Sequence, residues 1–252
     1  MKYFAEISYR GTQYNGWQIQ QNTEQTVQGF INKALQLVLR QDIETLAGGR
    51  TDAGVHCLSQ FIEFESKEIT DKEYFLYKIN CILPEDIYLK NIFLVKPEAH
   101  ARFDALSRSY AYHIGLEKNP FAEGLLLRYW HHLDIDLMNE AAKLLLIYQD
   151  FECFSKVKTD VKTFNCTIYR AEWKKEDNLL IFYIQANRFL RGMVRAIVGT
   201  LLDVGRKKIT KQDFENIILS KKRTQAGRNV PPEGLFLTEI AYPKDIFLEQ
   251  IK

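Results

Sequence analysis

Apolar and polar side chains alternate over residues 2–10, with apolar positions at odd numbers from Tyr3 to Tyr9. This period of two predicts a strand with one buried face. Similar runs predict further strands over residues 43–47, 58–65, 87–95, 110–116, 166–174, 179–186 and 235–242. Apolar side chains that return every three or four positions predict helices over residues 24–40, 71–81, 136–148, 189–204 and 210–220.

The order of these elements indicates the fold class. Strands and helices mix without the regular alternation of βαβ units, which favours an α+β fold with a mainly antiparallel sheet over a doubly wound parallel sheet. The second part of the chain repeats the theme of the first. We therefore expect two similar α/β halves, residues 1–105 and 106–252.

Composition places the chain among ordinary globular proteins, with 46% apolar and 26% charged residues. No apolar run approaches the roughly 18 residues that a membrane span needs, and Met1–Glu6 holds no apolar signal-peptide core. These features predict a cytoplasmic protein with no membrane partner. The cysteines form no C-x-x-C pair, which predicts reduced thiols rather than disulfides or a zinc site, and they are Cys57, Cys81, Cys153 and Cys166.

Positive charge is concentrated between Ala186 and Asn229. Eleven Lys and Arg residues face three acidic ones there, a net charge of +8, which leaves −6 for the remainder of a chain whose total is +2. A basic block on a weakly acidic body suits a polyanion such as RNA. A solvated helix face would carry the same charges, and charge alone leaves both interpretations open.

The densest group of candidate catalytic residues is the glycine-rich string Gly48–His56 between two predicted strands. Its glycines permit tight backbone and close approach of a ligand. Asp52, with the Arg50 guanidinium two positions away, is expected to stay ionised and to serve as a nucleophile or general base. The other interpretation is an Asx-turn, in which Asp52 merely bonds its own loop.

Other common sites are disfavoured. The Gly48–Gly49 pair does not extend to a P-loop or to G-x-G-x-x-G, so no nucleotide cofactor is predicted. His131 and His132 are adjacent and lack metal-ligand spacing, so no metal site is predicted and both are expected to be surface or packing residues.

Three further groups have two interpretations each. Tyr110 and Tyr112 share a strand face, so one of them could stack on a nucleobase, or both could be ordinary sheet aromatics. A polar loop after the first strand could contact RNA or simply anchor itself, and its candidate side chains are Tyr14, Trp17, Gln18 and Gln20. Arginines spaced three and four apart at the start of the helix predicted from 189 would line one face, either to meet phosphates or as a solvated stripe, and they are Arg188, Arg191 and Arg195.

Several strings, taken in order, resemble the tRNA pseudouridine synthase A family over nearly the whole chain. They are Gly11–Gln20, Gly49–His56, His100–Phe103, Tyr110–Tyr112, Met193–Gly199 and Gly234–Leu237. The resemblance implies a pseudouridine synthase fold in which the two halves share a sheet and a central cleft. It also implies isomerisation of uridine to pseudouridine in the anticodon stem-loop of tRNA, without cofactor or metal, by a homodimer.

The resemblance assigns roles by position. It makes Asp52 the catalytic aspartate, Tyr110 the tyrosine against the target base and Arg195 the ion-pair partner of the aspartate. Arg50 would help to flip and hold the nucleotide, and Leu235 would line the pocket. The RNA contacts expected beside these are Arg188, Arg191, Gln18 and Gln20.

One position departs from the family pattern, because Arg10 stands where the family commonly carries Asp before the glycine. This change concerns the hydrogen bonding of the first loop and not the chemistry. Two other functions remain open at the level of sequence: a non-catalytic RNA-binding or RNA-folding protein on the same scaffold, and a small-molecule enzyme with an incidental basic face.

Overall fold

The computed structural model describes residues 1–157 and 162–248, and the chain divides into two compact units. The first unit comprises Met1–Leu106 together with Phe236–Lys252, and the second comprises Ser107–Leu235. The halves expected from the sequence, 1–105 and 106–252, differ from these units in the C-terminal segment. That segment lies with the first unit because its strand pairs with a strand of that unit.

The secondary structure is numbered along the chain. The strands are β1 (Lys2–Tyr9), β2 (Leu46–Ala47), β3 (His56–Glu65), β4 (Ile87–Leu94), β5 (Ser107–Gly115), β6 (Leu127–Arg128), β7 (Ile168–Glu176), β8 (Leu179–Ala186) and β9 (Leu235–Ala241). The α-helices are α1 (Val27–Leu39), α2 (Lys72–Ile82), α3 (Ile135–Ala142), α4 (Met193–Gly205) and α5 (Lys211–Ser220). The predicted elements are thus confirmed in kind and order.

In the first unit, β1 lies between β4 and β3 and is antiparallel to both, so that Ala5 is opposite Ile62 on one side and Ile92 on the other. β9 runs parallel to β3, with His56 opposite Phe236. β2 is much shorter than the strand predicted over 43–47. The reason lies at Thr45, whose N–H and hydroxyl both donate to the side chain of Asn32 instead of to a neighbouring strand.

The helices of the first unit begin at side-chain caps. The Thr26 hydroxyl accepts a hydrogen bond from the Gly29 N–H at 3.3 Å, so α1 begins later than the predicted position 24. Asp71 caps α2 in the same way by accepting from the Tyr74 N–H at 2.9 Å.

β1 is buried on both faces at Phe4, so the prediction of a single buried face is wrong at this position. The C-terminal segment supplies the cover: the Phe4 ring packs edge-on against Tyr242 and Phe247, with centroids 5.4 Å and 6.1 Å away. Val95, Ala99, Ala101 and Ile246 complete this cluster. The cover comes from residues nearly 240 positions away along the chain, which local alternation does not report.

In the second unit, β8 lies between β5 and β7 and is antiparallel to both, while β6 adds to β5 in parallel. α5 begins at a capping box, in which the side chains of Thr210 and Asp213 each bond the other residue's backbone N–H. α3 ends at Ala142 and continues as a 3-10 turn, Lys143–Leu146, so the helix predicted over 136–148 is shorter than expected.

α4 begins at Met193 and not at the predicted position 189. Gly192 precedes it with a φ of 72°, in the left-handed region that ends or precedes a helix rather than continuing one. The α+β class and the mainly antiparallel pairing are confirmed. No helix among the described residues is long and apolar enough to cross a membrane.

Candidate active site

The Gly48–His56 string forms a loop that connects β2 to β3 in the first unit. Its side chains alternate in exposure: Arg50 is exposed, Thr51 is buried and Asp52 is half-buried. The turn after Asp52 is closed by main-chain groups, because the Val55 N–H donates to the Asp52 carbonyl oxygen at 3.2 Å and Gly54 has a φ of 77°. A main-chain hydrogen bond and the left-handed backbone at Gly54 therefore close this turn.

The first loop of the chain holds the Asp52 loop from one side. The Trp17 N–H donates to the Thr51 carbonyl at 3.1 Å, and the Gly54 N–H donates to the Tyr14 carbonyl at 3.2 Å. Gly16 lies between these contacts with a φ of 91°, and a Cβ there would approach the Thr51 carbonyl oxygen to 2.7 Å. A glycine is needed at this point because the two loops are in backbone contact.

Tyr14 and Trp17 are buried, at 5% and 1% exposure, so they anchor the first loop. The two glutamines of the same loop are engaged within the first unit. Gln18 donates to the Gln28 side chain at 2.7 Å, and the exposed Gln20 donates to the Asn15 carbonyl at 2.8 Å. Of the four candidates for RNA contact in this loop, the two aromatic residues thus anchor the loop in the core of the first unit.

The departure at Arg10 has a local explanation. The Arg10 N–H donates to the Asp86 carbonyl at 2.9 Å, and the Tyr14 hydroxyl donates to the Asp86 carboxylate. Burial raises the pKa of Tyr14, with Asp86 as a second cause, so the phenol stays protonated and keeps donating. The first loop therefore has a carboxylate partner although position 10 is basic.

A hydrogen-bonded group of Tyr242, Ala101 and Glu63 supports the Asp52 loop at Gly48. The Tyr242 hydroxyl donates to the Ala101 carbonyl at 2.5 Å, and the buried Glu63 carboxylate accepts from the Ala101 N–H. His100 Nδ1 lies 3.3 Å from the same carboxylate. A Cβ at Gly48 would overlap the Tyr242 hydroxyl, so the N-terminal end of the Asp52 loop packs directly against Tyr242 and Ala101.

No motif in the sequence marks the side chains that support the Asp52 loop, which are Tyr9, Gln60, Glu63 and Tyr242. One signal was available in the pattern. Tyr9 places a hydroxyl, and Gln60 an amide, at positions that the strand predictions bury. Buried polar groups need partners, so such residues mark contacts that reach beyond their own strand.

The second unit carries the paired tyrosines on β5. Tyr112 is fully buried and its hydroxyl donates to the Pro231 carbonyl at 2.8 Å. Burial raises the pKa of Tyr112, and Glu233 raises it further, while Arg195 opposes both. Tyr112 is therefore a structural residue. Tyr110 is 9% exposed and packs edge-on against Phe189, with ring centroids 5.2 Å apart.

The three arginines do not share a helix face, so that prediction is wrong. Only Arg195 lies in α4, whereas Arg188 and Arg191 precede Gly192, the N-cap residue of that helix. Arg195 is half-buried, and its Nε donates to the Val230 carbonyl at 2.7 Å. Leu235 is buried at the first position of β9.

The basic segment is partly neutralised within the second unit. Four of its lysines form ion pairs with carboxylates, and the pairs are Lys207–Asp134 at 3.1 Å, Lys208–Asp203 at 3.4 Å, Lys211–Glu140 at 3.6 Å and Lys221–Asp150 at 2.6 Å. Arg223 donates to the Ala226 and Gly227 carbonyls and to the Asn229 side chain. The excess charge is therefore smaller locally than the residue count indicates.

Candidate metal ligands are sparse. Among residues 1–157 and 162–248, no three His, Cys, Asp or Glu side chains lie together in a group that could hold a metal ion. His131 and His132 are exposed, as expected. All four cysteines are free thiols, and Cys81 is the exposed one.

The candidate residues are thus distributed over both units. The first unit holds Asp52, Arg50, Gln18 and Gln20, with Asp52 and Arg50 on a loop that is supported from two sides. The second unit holds Tyr110, Arg195, Arg188, Arg191 and Leu235.

Comparison with known proteins identifies the family. A family model described as tRNA pseudouridine synthase matches residues 141–243. Proteins called tRNA pseudouridine synthase A are similar over nearly their full length. The one from Bacteroides thetaiotaomicron is 47% identical, over 100% of this chain and 94% of the relative. Those from Parabacteroides distasonis and Bacteroides fragilis are 47% and 48% identical, over 98% of this chain and 98% of each relative. The chain belongs to the tRNA pseudouridine synthase A family.

Proposed function

We propose that this protein isomerises uridine to pseudouridine in the anticodon stem-loop of tRNA, with Asp52 as the catalytic nucleophile or base. One observation carries the proposal: the identity to proteins called tRNA pseudouridine synthase A is 44–48% over at least 98% of the chain. No observation favours a non-catalytic RNA-binding protein, and the experiment below distinguishes that alternative.

The reaction rearranges bonds within one nucleotide. The bond between N1 and C1′ breaks, a bond between C5 and C1′ forms, the C5 hydrogen leaves as a proton, and N1 gains one. No electrons are exchanged with another molecule. A positioned carboxylate can attack an electron-poor carbon of the nucleotide or remove a proton beside it, which are the two roles proposed for Asp52.

The local structure supports Asp52 in this role. The carboxylate belongs to a half-buried residue on a loop whose neighbours are held by the first loop and by the group around Tyr242. A reacting group acts best when its supporting residues leave it few other positions. A uridine within a stem must leave its stack to reach such a group.

The other candidates follow from the resemblance and remain part of the proposal. Tyr110 would confine the detached base while its C5 turns toward C1′. Arg195 would pair with the Asp52 carboxylate, Arg50 would hold the flipped nucleotide, and Leu235 would line the pocket. Phosphate contacts would supply affinity rather than base readout, and the residues proposed for RNA contact are Arg188, Arg191, Gln18 and Gln20.

The proposal also includes a homodimer, which rests on the resemblance, and a cytoplasmic location, which rests on the sequence features given above. Light scattering on the purified chain measures its mass in solution. A mass of about twice 29.5 kDa would support the dimer, and 29.5 kDa at working concentration would contradict it.

The decisive experiment measures tritium released from tRNA that is labelled at C5 of uridine. Wild-type protein should release tritium from a tRNA whose only labelled uridine lies in the anticodon arm. Asp52→Asn should release none and should bind the same tRNA with unchanged affinity. The matched control is Asp42→Asn, because Asp42 is an exposed aspartate of the same unit whose side chain accepts from Gln36 at 3.1 Å.

Each other outcome has a defined meaning. Wild-type protein that binds tRNA but releases no tritium would contradict the enzymatic function and support the RNA-binding alternative. Asp52→Asn with the wild-type rate would remove Asp52 from the chemistry. Loss of tRNA binding together with activity in Asp52→Asn would mark Asp52 as a structural residue of its loop.

A further inference from the structure

A buried chain of hydrogen bonds leads from β3 through β1 to the residue before Asp52. The Gln60 amide nitrogen donates to the Tyr9 hydroxyl at 3.1 Å. The hydroxyls of Tyr9 and Thr51 lie 2.7 Å apart and share a further hydrogen bond. Gln60, Tyr9 and Thr51 are 0%, 5% and 8% exposed, so water does not compete for these contacts.

Thr51 is held at both its side chain and its main chain. Its hydroxyl meets Tyr9, and its carbonyl oxygen accepts from the Trp17 N–H at 3.1 Å. These two contacts fix the peptide plane that leads into Asp52, because the carbonyl carbon of Thr51 is bonded to the Asp52 nitrogen. The direction of the Asp52 side chain is therefore coupled to the Tyr9 hydroxyl through covalent geometry.

This chain of hydrogen bonds is not explained by its contribution to the stability of the fold. Gln60 is fully buried, and within the described residues its Oε1 atom has no hydrogen-bond partner. A buried acceptor without a donor destabilises the folded state, and an apolar side chain of similar shape would avoid this cost. An amide at this position is thus better explained by what it holds than by stability.

We propose that Tyr9 and Gln60 are positioning residues that orient Asp52 through the Thr51 hydroxyl. This inference rests on the proposed catalytic role of Asp52. It predicts that removal of one buried hydroxyl, 43 positions before Asp52 in sequence, slows the chemical step without weakening tRNA binding.

The first test is Tyr9→Phe, which removes only the hydroxyl. The single-turnover rate of tritium release at saturating tRNA should fall about 10- to 100-fold, as expected when a reacting group is misplaced, and tRNA affinity should not change. The control is Tyr3→Phe. Tyr3 lies on the same strand, is also 5% exposed and has a hydroxyl that accepts from the Ile69 N–H at 3.0 Å, about 20 Å along β1 from Tyr9. It should keep the wild-type rate.

The second test asks whether the effect passes through Thr51. Thr51→Val should lower the same rate, and Thr51→Ser, which keeps the hydroxyl, should restore most of it. Tyr9→Phe should then cause no further loss in the Thr51→Val protein, because the contact it removes is already absent. Fully multiplicative losses would contradict a path through Thr51.

The third test separates positioning from stability and leaves the Tyr9 side chain in place. Gln60→Leu removes the unpartnered oxygen together with the donor to Tyr9. The proposal expects an unchanged or higher midpoint of thermal unfolding together with a slower single-turnover rate. A lower midpoint with the wild-type rate would make Gln60 structural and overturn the proposal.

The outcomes distinguish this inference from the proposed function. If Asp52→Asn is inactive while Tyr9→Phe, Thr51→Val and Gln60→Leu all keep the wild-type rate, the positioning role is wrong and the function stands. If Asp52→Asn keeps the wild-type rate, the proposed function of Asp52 fails, and with it any role in orienting that residue.

Discussion

Two hydrogen bonds join Arg195 and Val230. Arg195 Nε donates to the Val230 carbonyl oxygen at 2.7 Å, and the Val230 N–H donates to the Arg195 carbonyl oxygen at 3.2 Å. The first turn of α4 is thereby joined to the segment that leads into β9. A guanidinium held at its Nε keeps the direction of its two terminal nitrogens, which a flexible ammonium does not.

We therefore expect Arg195→Lys to impair activity although it keeps the charge. Lysine has no second donor along its side chain with which to hold Val230 while its terminal group reaches a partner. The single-turnover rate should fall about tenfold or more. The control is Arg170→Lys on β7, whose Nε bonds Glu172 at 2.6 Å on an exposed surface. Equal rates for wild-type and Arg195→Lys would show that the orientation of the guanidinium does not matter.

Gly16→Ala should destabilise the protein and lower the single-turnover rate of tritium release. The φ of 91° at Gly16 disfavours any side chain, and the added Cβ would approach the Thr51 carbonyl oxygen to 2.7 Å. A free energy of unfolding lower by about 1–3 kcal/mol is expected, measured by urea denaturation. Gly49→Ala is the stability control, because its Cβ would meet Ile240 at an ordinary 3.4 Å. A Gly16→Ala protein as stable as wild type would contradict the close contact of the two loops.

The ion pairs of Lys211 and Lys221 predict that these lysines contribute less to tRNA affinity than the two arginines proposed as RNA contacts, Arg188 and Arg191. Arg188→Gln with Arg191→Gln should weaken binding and lower the slope of log affinity against log salt by about 1 to 2, if each arginine meets a phosphate. The matched double variant is Lys211→Gln with Lys221→Gln, whose ammonium groups already bind Glu140 and Asp150. It should change the slope less. A larger change of slope in the lysine double variant than in the arginine double variant would indicate that the lysines contact the phosphates.

Stability should fall in alkaline solution because of the buried thiols. Burial raises the pKa of Cys166 from 9.0 to about 11 and that of Cys153 to about 12. Above pH 9 the unfolded chain therefore loses thiol protons that the folded chain keeps. The free energy of unfolding consequently decreases as the pH rises from 9 toward the pKa values of the thiols in the folded state. The slope is at most about 1.4 kcal/mol per pH unit for each thiol.

Urea unfolding at several values above pH 9 measures this loss. Cys166→Ala should make the decline shallower, whereas Cys81→Ala, at an exposed cysteine, should leave it unchanged. A decline that is the same in wild-type and Cys166→Ala protein would show that this thiol does not contribute.

Periodicity and local chemistry predicted most of the fold. The capping box of α5, the period of two in β1 and the helical spacing of α1 depend on neighbours within a few residues, so the sequence displays them directly. The Gly49–His56 string likewise pointed to Asp52 because it is a continuous motif.

Tertiary structure decided what lies around that motif. The sequence placed Arg188, Arg191 and Arg195 on one helix face, but the left-handed backbone at Gly192 delays the helix, and a single glycine in an apolar pattern does not reveal its φ. The grouping of β9 with the first unit depends on pairing with β3, which lies about 180 residues earlier in the chain.

The support of Asp52 shows the same division most clearly. Sequence alone determined that a carboxylate follows Gly49-Arg50-Thr51 in a glycine-rich loop. That Tyr9 and Gln60 meet at Thr51 became visible only in the folded chain, because these hydrogen bonds join residues 42 and 51 positions apart. Local patterns report which face of a strand is buried, whereas the partner of a buried polar group is set by how distant strands align.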